Sequence, residues 1–134
     1  AYILHVQIEG RVFNELIYSY IIPSVIAYQN RLIQNVMGLK EIYGATYKKQ
    51  AKSQLVLIEW IAEHIEALKN KTDAMVEERK KANVMTDTHK KAYAYCEKVK
   101  PYFDEIRYHS DKLERLVDDQ LWPLTKYREL LFVK

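Results

Sequence analysis

Residues 92–120 read AYAYCEKVKPYFDEIRYHSDKLERLVDDQ, and the spacing of their apolar members decides the fold. Ala92, Cys96, Val99, Phe103, Ile106, Ser110, Leu113, Val117 and Gln120 recur at alternating steps of three and four. A helix turns once in about 3.6 residues, so these side chains share one face. Tyr95, Tyr102, His109, Leu116 and Leu121 flank that face. The pattern places Cys96 in the interior as a buried structural thiol. Pro101 lacks an N–H and crowds the turn before it, so a kink is expected there. An apolar stripe sustained this long needs a facing helix.

The facing helix lies immediately upstream. Thr86, Asp87 and Thr88 supply caps and a tight turn. Before them, nothing breaks a helix between Thr46, a natural N-cap, and about Val84. Ala51, Leu55, Ile58, Ala62, Ile65, Leu68, Thr72, Met75 and Arg79 step along one face of that run, which would extend about 60 Å. The two segments predict a long antiparallel hairpin.

Ahead of the hairpin, Ile3, Val6, Gly10, Phe13, Ile17 and Tyr20 trace a further stripe. Pro23 should kink or break it. The pattern resumes through Val25, Gln29, Leu32, Ile33 and Val36, and Gly38 reads as the C-terminal cap. Between Leu16 and Ile26 the helix is apolar on nearly every side, so other helices or a partner must cover it. At the far end Trp122-Pro123 stops the third helix, and Leu124 to Phe132 makes a short final one. The expectation is an all-α, bundle-like fold in one domain, residues 1–134. A kinked first helix packs on the hairpin and a short C-terminal helix closes it. Three Gly and three Pro in 134 residues, against about 7% and 5% in average proteins, agree with few turns.

Composition excludes several function classes. The net charge of +3 comes from 21 basic and 18 acidic residues, well mixed along the chain. No concentrated basic stripe suggests nucleic acid. The densest basic run, from Arg79, Lys80 and Lys81 to His89, Lys90 and Lys91, is diluted by Glu77, Glu78 and Asp87 and reads as a solvated hairpin tip. The longest apolar stretch, Leu16 to Tyr28, is interrupted by Ser19, Pro23 and Ser24 and falls short of the ~20 residues a membrane span needs. A single cysteine forbids an intrachain disulfide and favours a reducing, cytoplasmic setting. The chain starts at Ala1, already inside a periodic pattern, and so reads as a piece of something longer.

Catalytic chemistry finds no foothold. A carboxylate-bridged metal pair in a bundle requires Glu-x-x-His, and no Glu has a His three residues on. Glu105 and His109, four apart, form at most a surface contact. His5, His64, His89 and His109 are scattered, and Gly10, Gly38 and Gly44 are isolated rather than gathered in a phosphate-binding loop. No catalytic, cofactor-binding or metal-ligating residue is assigned. Eleven tyrosines, with Tyr18, Tyr20 and Tyr28 near the first proline and Tyr93, Tyr95, Tyr102 and Tyr108 on the third helix, suit both core packing and interfaces. From the residues alone, the chain is a helical structural or interaction domain.

Certain strings are more specific. Ile8-Glu9-Gly10-Arg11-Val12, Ile21-Ile22-Pro23, Tyr28-Gln29-Asn30 and Asn35-Val36-Met37-Gly38-Leu39-Lys40 resemble the C-terminal region of type III glutamine synthetases. So do Lys100-Pro101-Tyr102, Asp104-Glu105-Ile106-Arg107-Tyr108-His109, Asp118-Asp119-Gln120-Leu121-Trp122-Pro123 and Lys126-Tyr127-Arg128-Glu129-Leu130-Leu131-Phe132. The resemblance implies a parent enzyme that joins ammonia to glutamate with ATP and Mg, assembled as a large homo-oligomer. Its catalytic residues would lie upstream of this segment. The expected partners are then the rest of the parent chain and neighbouring subunits. The alternative is a stand-alone helical adaptor.

Overall fold

Three rods of helix run up, down and up, and two interruptions of the helical backbone define them. The computed structural model describes residues 2–117. The first rod joins α1 (Tyr2–Leu16), a π-helical turn (Ile17–Ile21) and α2 (Ile22–Tyr43). A 3₁₀ turn at Gly44–Thr46 leads into α3 (Tyr47–Gln50) and the long α4 (Lys52–Asn83). The third rod joins α5 (Thr88–Ala94), a second π turn (Tyr95–Val99) and α6 (Pro101–Glu114). All regular structure among the described residues is helical, and α4 packs against both other rods. The expected all-α fold and antiparallel hairpin are both present. The final helix expected at 124–132, with the stop at Trp122-Pro123, lies outside the described residues.

At each of the two prolines among the described residues, Pro23 and Pro101, a π turn forms instead of a simple kink. The N–H of Ile22 reaches back five residues to the carbonyl of Ile17, and that of Lys100 bonds the carbonyl of Tyr95 at 3.0 Å. Pro23 and Pro101 then follow one residue later. A helical proline cannot donate to the carbonyl four residues back and its ring collides with it. That carbonyl belongs to Ser19 in one case and Glu97 in the other, each at the middle of a π turn. Widening the turn by one residue relieves the collision while the rod continues.

The extra residue shifts the buried stripe. Val6, Phe13, Ile17, Ile21 and Val25 are interior, so Ile21 replaces the expected Tyr20, which is 41% exposed. On the third rod Tyr95, Val99, Phe103, Ile106, Leu113 and Val117 are interior, with Ser110 among them. Tyr95 therefore takes the place expected for Cys96, and the Cys96 thiol is exposed instead of buried. Phe13 and Phe103 meet in the centre with ring centroids 4.9 Å apart.

Along α4 the interior positions are Ile61, Leu68, Thr72, Met75 and Ala82. Ile61, and not the expected Ala62, faces the core, because the heptad runs without a break from Ile61 through Leu68 and Met75 to Ala82. Thr72 and Ser110 tolerate burial by donating to carbonyls one turn back, those of Leu68 (2.8 Å) and Ile106 (2.9 Å). Each fully buried Leu, Ile or Phe contributes about 1.5–3 kcal/mol, so these stripes dominate the stability.

The connections also depart from expectation in identifiable ways. Gly38 does not end the first rod; the helix runs to Tyr43 and stops at Gly44, whose positive φ of 62° glycine adopts without the strain a side chain would bring. Ile33, expected on the inner stripe, is 40% exposed, and Val36 holds the inner position. Thr46 is not an N-cap acceptor: its hydroxyl donates to the Tyr43 carbonyl at 3.0 Å, closing the rod behind it. The middle rod is interrupted at Ala51, which is fully buried with non-helical backbone angles. Asp87 does cap as expected, its carboxylate accepting from the N–H groups of His89 (2.9 Å) and Lys90 (3.1 Å).

Candidate functional site

α1 has two apolar faces, and only one of them is used. Its inner face is pinned at several points. Gly10 lies so close to α4 that a Cβ there would stand 2.9 Å from Cδ of Arg79. Glu9 pairs with Arg107 at 3.8 Å, and the Arg107 guanidinium sits 5.6 Å above the Phe13 ring. The opposite face carries Leu4, Ile8 and Val12 at steps of four, exposed by 57%, 49% and 38%. Large aliphatic side chains aligned on the outer face of a rod form a surface suited to another protein surface.

At the hairpin end of the bundle, one polar knot joins all three rods. Tyr95 is fully buried, yet its hydroxyl donates to the Asn83 side-chain oxygen and accepts from Gln7 at 3.0 Å. Gln7 also donates to Asn83 at 2.9 Å. Tyr18 similarly ties the first rod to α4 by donating to Asp73, which Lys69 approaches at 3.0 Å. Burial, then the bond to Asp73 and its charge, push the Tyr18 hydroxyl up to about 12. The tyrosines thus divide: Tyr95 serves the core, whereas Tyr93 and Tyr108 stand 64% and 56% exposed.

Of the four histidines, His64 on α4 and His109 on α6 come together. Their Nδ1 atoms lie 2.9 Å apart, one donating and one accepting. The Trp60 ring lies tilted at 57° against His64 with centroids 4.1 Å apart, and Tyr108 meets His109 edge-on at 5.1 Å. Burial lowers the pKa of both imidazoles. Lys112 adds to the effect at His64, and His64 and Lys71 add to it at His109. The expected Glu105–His109 contact is not what forms: Glu105 pairs with Lys71 at 2.9 Å, and His109 turns to His64 instead. The two imidazoles share a hydrogen bond across the hairpin, and burial favours their neutral forms. This pairing was not read from the sequence, although both histidines lie nearly equidistant from the turn at Asp87.

Among the described residues no group of three or more His, Cys, Asp or Glu is placed to hold a metal. Nor is any described helix long and apolar enough to cross a membrane. The basic run at the hairpin is partly neutralised, since Lys80 pairs with Glu77 (3.1 Å) and Lys81 with Glu78 (3.2 Å).

Comparison with known proteins gives the surfaces a context. Residues 1–40 match the family described as glutamine synthetase C-terminal domain, and they include the whole Leu4–Ile8–Val12 face. The chain is 43% identical to a glutamine synthetase of Bacteroides fragilis (strain YCH46) over 134 residues, 99% of this chain and 18% of that protein. It is 25% identical to a type-3 glutamine synthetase of Dictyostelium discoideum over 130 residues, 96% of this chain and again 18% of the relative. The chain therefore spans about a fifth of the length of the curated relatives it matches.

Proposed function

This chain carries the sequence of the glutamine synthetase C-terminal domain family, and on that premise we propose that it is the helical assembly domain of a larger ligase. In this reading residues 1–134 form one domain of an enzyme that joins ammonia to glutamate with ATP and Mg. The chemistry is carried by parts of the parent outside this segment. ATP and Mg belong to those parts, and no residue here is assigned to either. The parent is a homo-oligomer of the cytoplasm, and this domain packs against its own chain or a neighbouring subunit.

One observation carries the assembly role. The family-matched α1 is locked to the bundle by Gly10, Phe13 and Glu9, while Leu4, Ile8 and Val12 remain outside. Covering three such side chains contributes several kcal/mol at about 25 cal/mol per Å² of apolar area, enough to orient a domain against a larger body.

The test is the triple substitution Leu4→Ser, Ile8→Ser and Val12→Ser in the full-length protein, read by analytical ultracentrifugation and by glutamine formation. Because these residues do not touch the core, helicity should be unchanged. Assembly mass or activity should fall together with the loss of the stripe. Unchanged mass and unchanged activity would remove the assembly role.

A further inference from the structure

A second surface, independent of the α1 stripe, lies at the tip of the hairpin. Turns at rod ends are usually polar, since they face water on several sides. Here Val84, Met85 and Tyr93 are 79%, 37% and 64% exposed, clustered around the turn that Asp87 caps. Between Met85, Tyr93 and Ala94 lies an open groove of about 430 Å³, walled by His89, Lys90 and Lys98 and floored almost wholly by carbon. Long lysine stems add apolar wall while their ammonium groups reach the rim.

Charge sets the identity of the occupant. Asp87, the nearest acid in the turn, already accepts two backbone N–H bonds from α5. Glu97 lines a separate cleft on the other side of Lys98, with Lys71, Glu78 and Lys81. Lys90 and Lys98 have no ion pair among the described residues, unlike Lys80 and Lys81 on the opposite arm. An apolar recess ringed by uncompensated cations complements an acidic chain that offers an apolar side chain. It repels a basic one.

We propose that this groove docks an acidic polypeptide segment, which inserts one or two large apolar side chains between Met85 and Tyr93 and sets its carboxylates against Lys90 and Lys98. The groove is local, with both lysines on the third rod, so an extended anionic bilayer is a poorer complement than a single chain. The recognition rests on ammonium–carboxylate pairing over apolar carbon.

The test uses the full-length protein and a fluorescently labelled twelve-residue peptide of Glu, Asp and Ser with a central Leu-Phe pair. Fluorescence anisotropy should show saturable binding that weakens with salt, as screened ion pairs require. Tyr93→Ser, and separately Lys90→Glu with Lys98→Glu, should each weaken it at least about tenfold. Both variants alter exposed side chains, so circular dichroism melting should be unchanged. A peptide with Lys in place of every acid, and one with Ser in place of Leu-Phe, should bind at least about tenfold more weakly. The proposal is overturned by the absence of saturation up to about 1 mM, by undiminished binding in either variant, or by equal binding of the control peptides. It is equally overturned if vesicles of anionic phospholipid bind the protein through these residues while the acidic peptide does not. Loss of the α1 stripe should leave peptide binding intact, so the two surfaces fail or stand separately.

Discussion

The two π turns are the same backbone device lined with different side chains. Ile17–Ile21 and Tyr95–Val99 each begin six residues before a proline and each set the carbonyl opposite that proline at their centre. The first turns two isoleucines inward, and its interior is wholly aliphatic. The second turns Tyr95 and Val99 inward and completes a hydrogen-bonded knot with Gln7 and Asn83. Backbone relief at the proline is thus common to both, whereas the content of the core is set separately. The buried side chains of the first turn only pack, its link to α4 being the outer Tyr18–Asp73 hydrogen bond. The buried Tyr95 of the second also fixes the register of three rods, because hydrogen bonds demand partners at defined positions.

The largest test of that difference is Tyr95→Ala. It empties a fully buried site and strands Gln7 and Asn83, so urea denaturation should show a loss of about 3–5 kcal/mol. Tyr95→Phe isolates the polar part and should cost about 1–3 kcal/mol. An equal loss for the two would show that the hydroxyl matters and the ring does not.

Next comes the aliphatic turn. Ile21→Ala should cost about 2–5 kcal/mol. The adjacent Tyr20→Ala should change stability by no more than about 0.5 kcal/mol. The reverse ranking would mean that the first rod is an ordinary helix in the register its periodicity suggests. Smaller still is the effect of deleting Ser19 together with Pro23→Ala. Removing the inserted residue and its cause should restore an α-turn with both flanking faces in place, at a cost below about 1 kcal/mol by thermal melting. Cooperative unfolding lost on this deletion would show that the turn has a role beyond accommodating the proline.

The smallest effect lies away from both turns, at His64 and His109. Their pKa values are lowered in the fold, so the unfolded chain takes up more protons as pH falls. Their contribution is therefore complete above about pH 6.5, the ordinary histidine value, and is progressively lost below it. The urea midpoint should drop between pH 7.5 and 5.5 in the native chain, and less in a variant carrying His64→Gln and His109→Gln. Identical drops would assign the pH dependence to other groups.

Much of this fold was legible in the sequence. The three rods, the antiparallel hairpin and the Asp87 cap follow from periodicity and turn chemistry. Periodicity places Phe103, Ile106, Ser110 and Leu113 correctly because α6 runs without interruption from Pro101 to Glu114, and Val117 follows just beyond it, its N–H bonding the Leu113 carbonyl. The misplacements at Tyr20 and Cys96 share one cause: a stripe counted in threes and fours through a π turn emerges one residue out of phase. A proline whose apolar pattern resumes beyond it, at four-residue steps on the near side, carries that signal. Gly38 suits a cap by its identity, whereas among the glycines Gly44 has the positive φ at which the helix ends. The outward stripe of α1 was visible as an excess of apolar residues. Its pairing with a locked inner face, and the histidine contact, needed the three-dimensional register.

The up-down-up path also sets an order for folding. Neighbouring rods are joined through the short connections at 44–51 and 84–87, whereas Gln7 and Tyr95 are separated by 88 positions along the chain. Closing a longer loop costs more entropy, so the hairpins should form early and the seam between the first and third rods should zip last. Phe103→Leu, on that seam, should accelerate unfolding in stopped-flow mixing and leave the refolding rate almost unchanged.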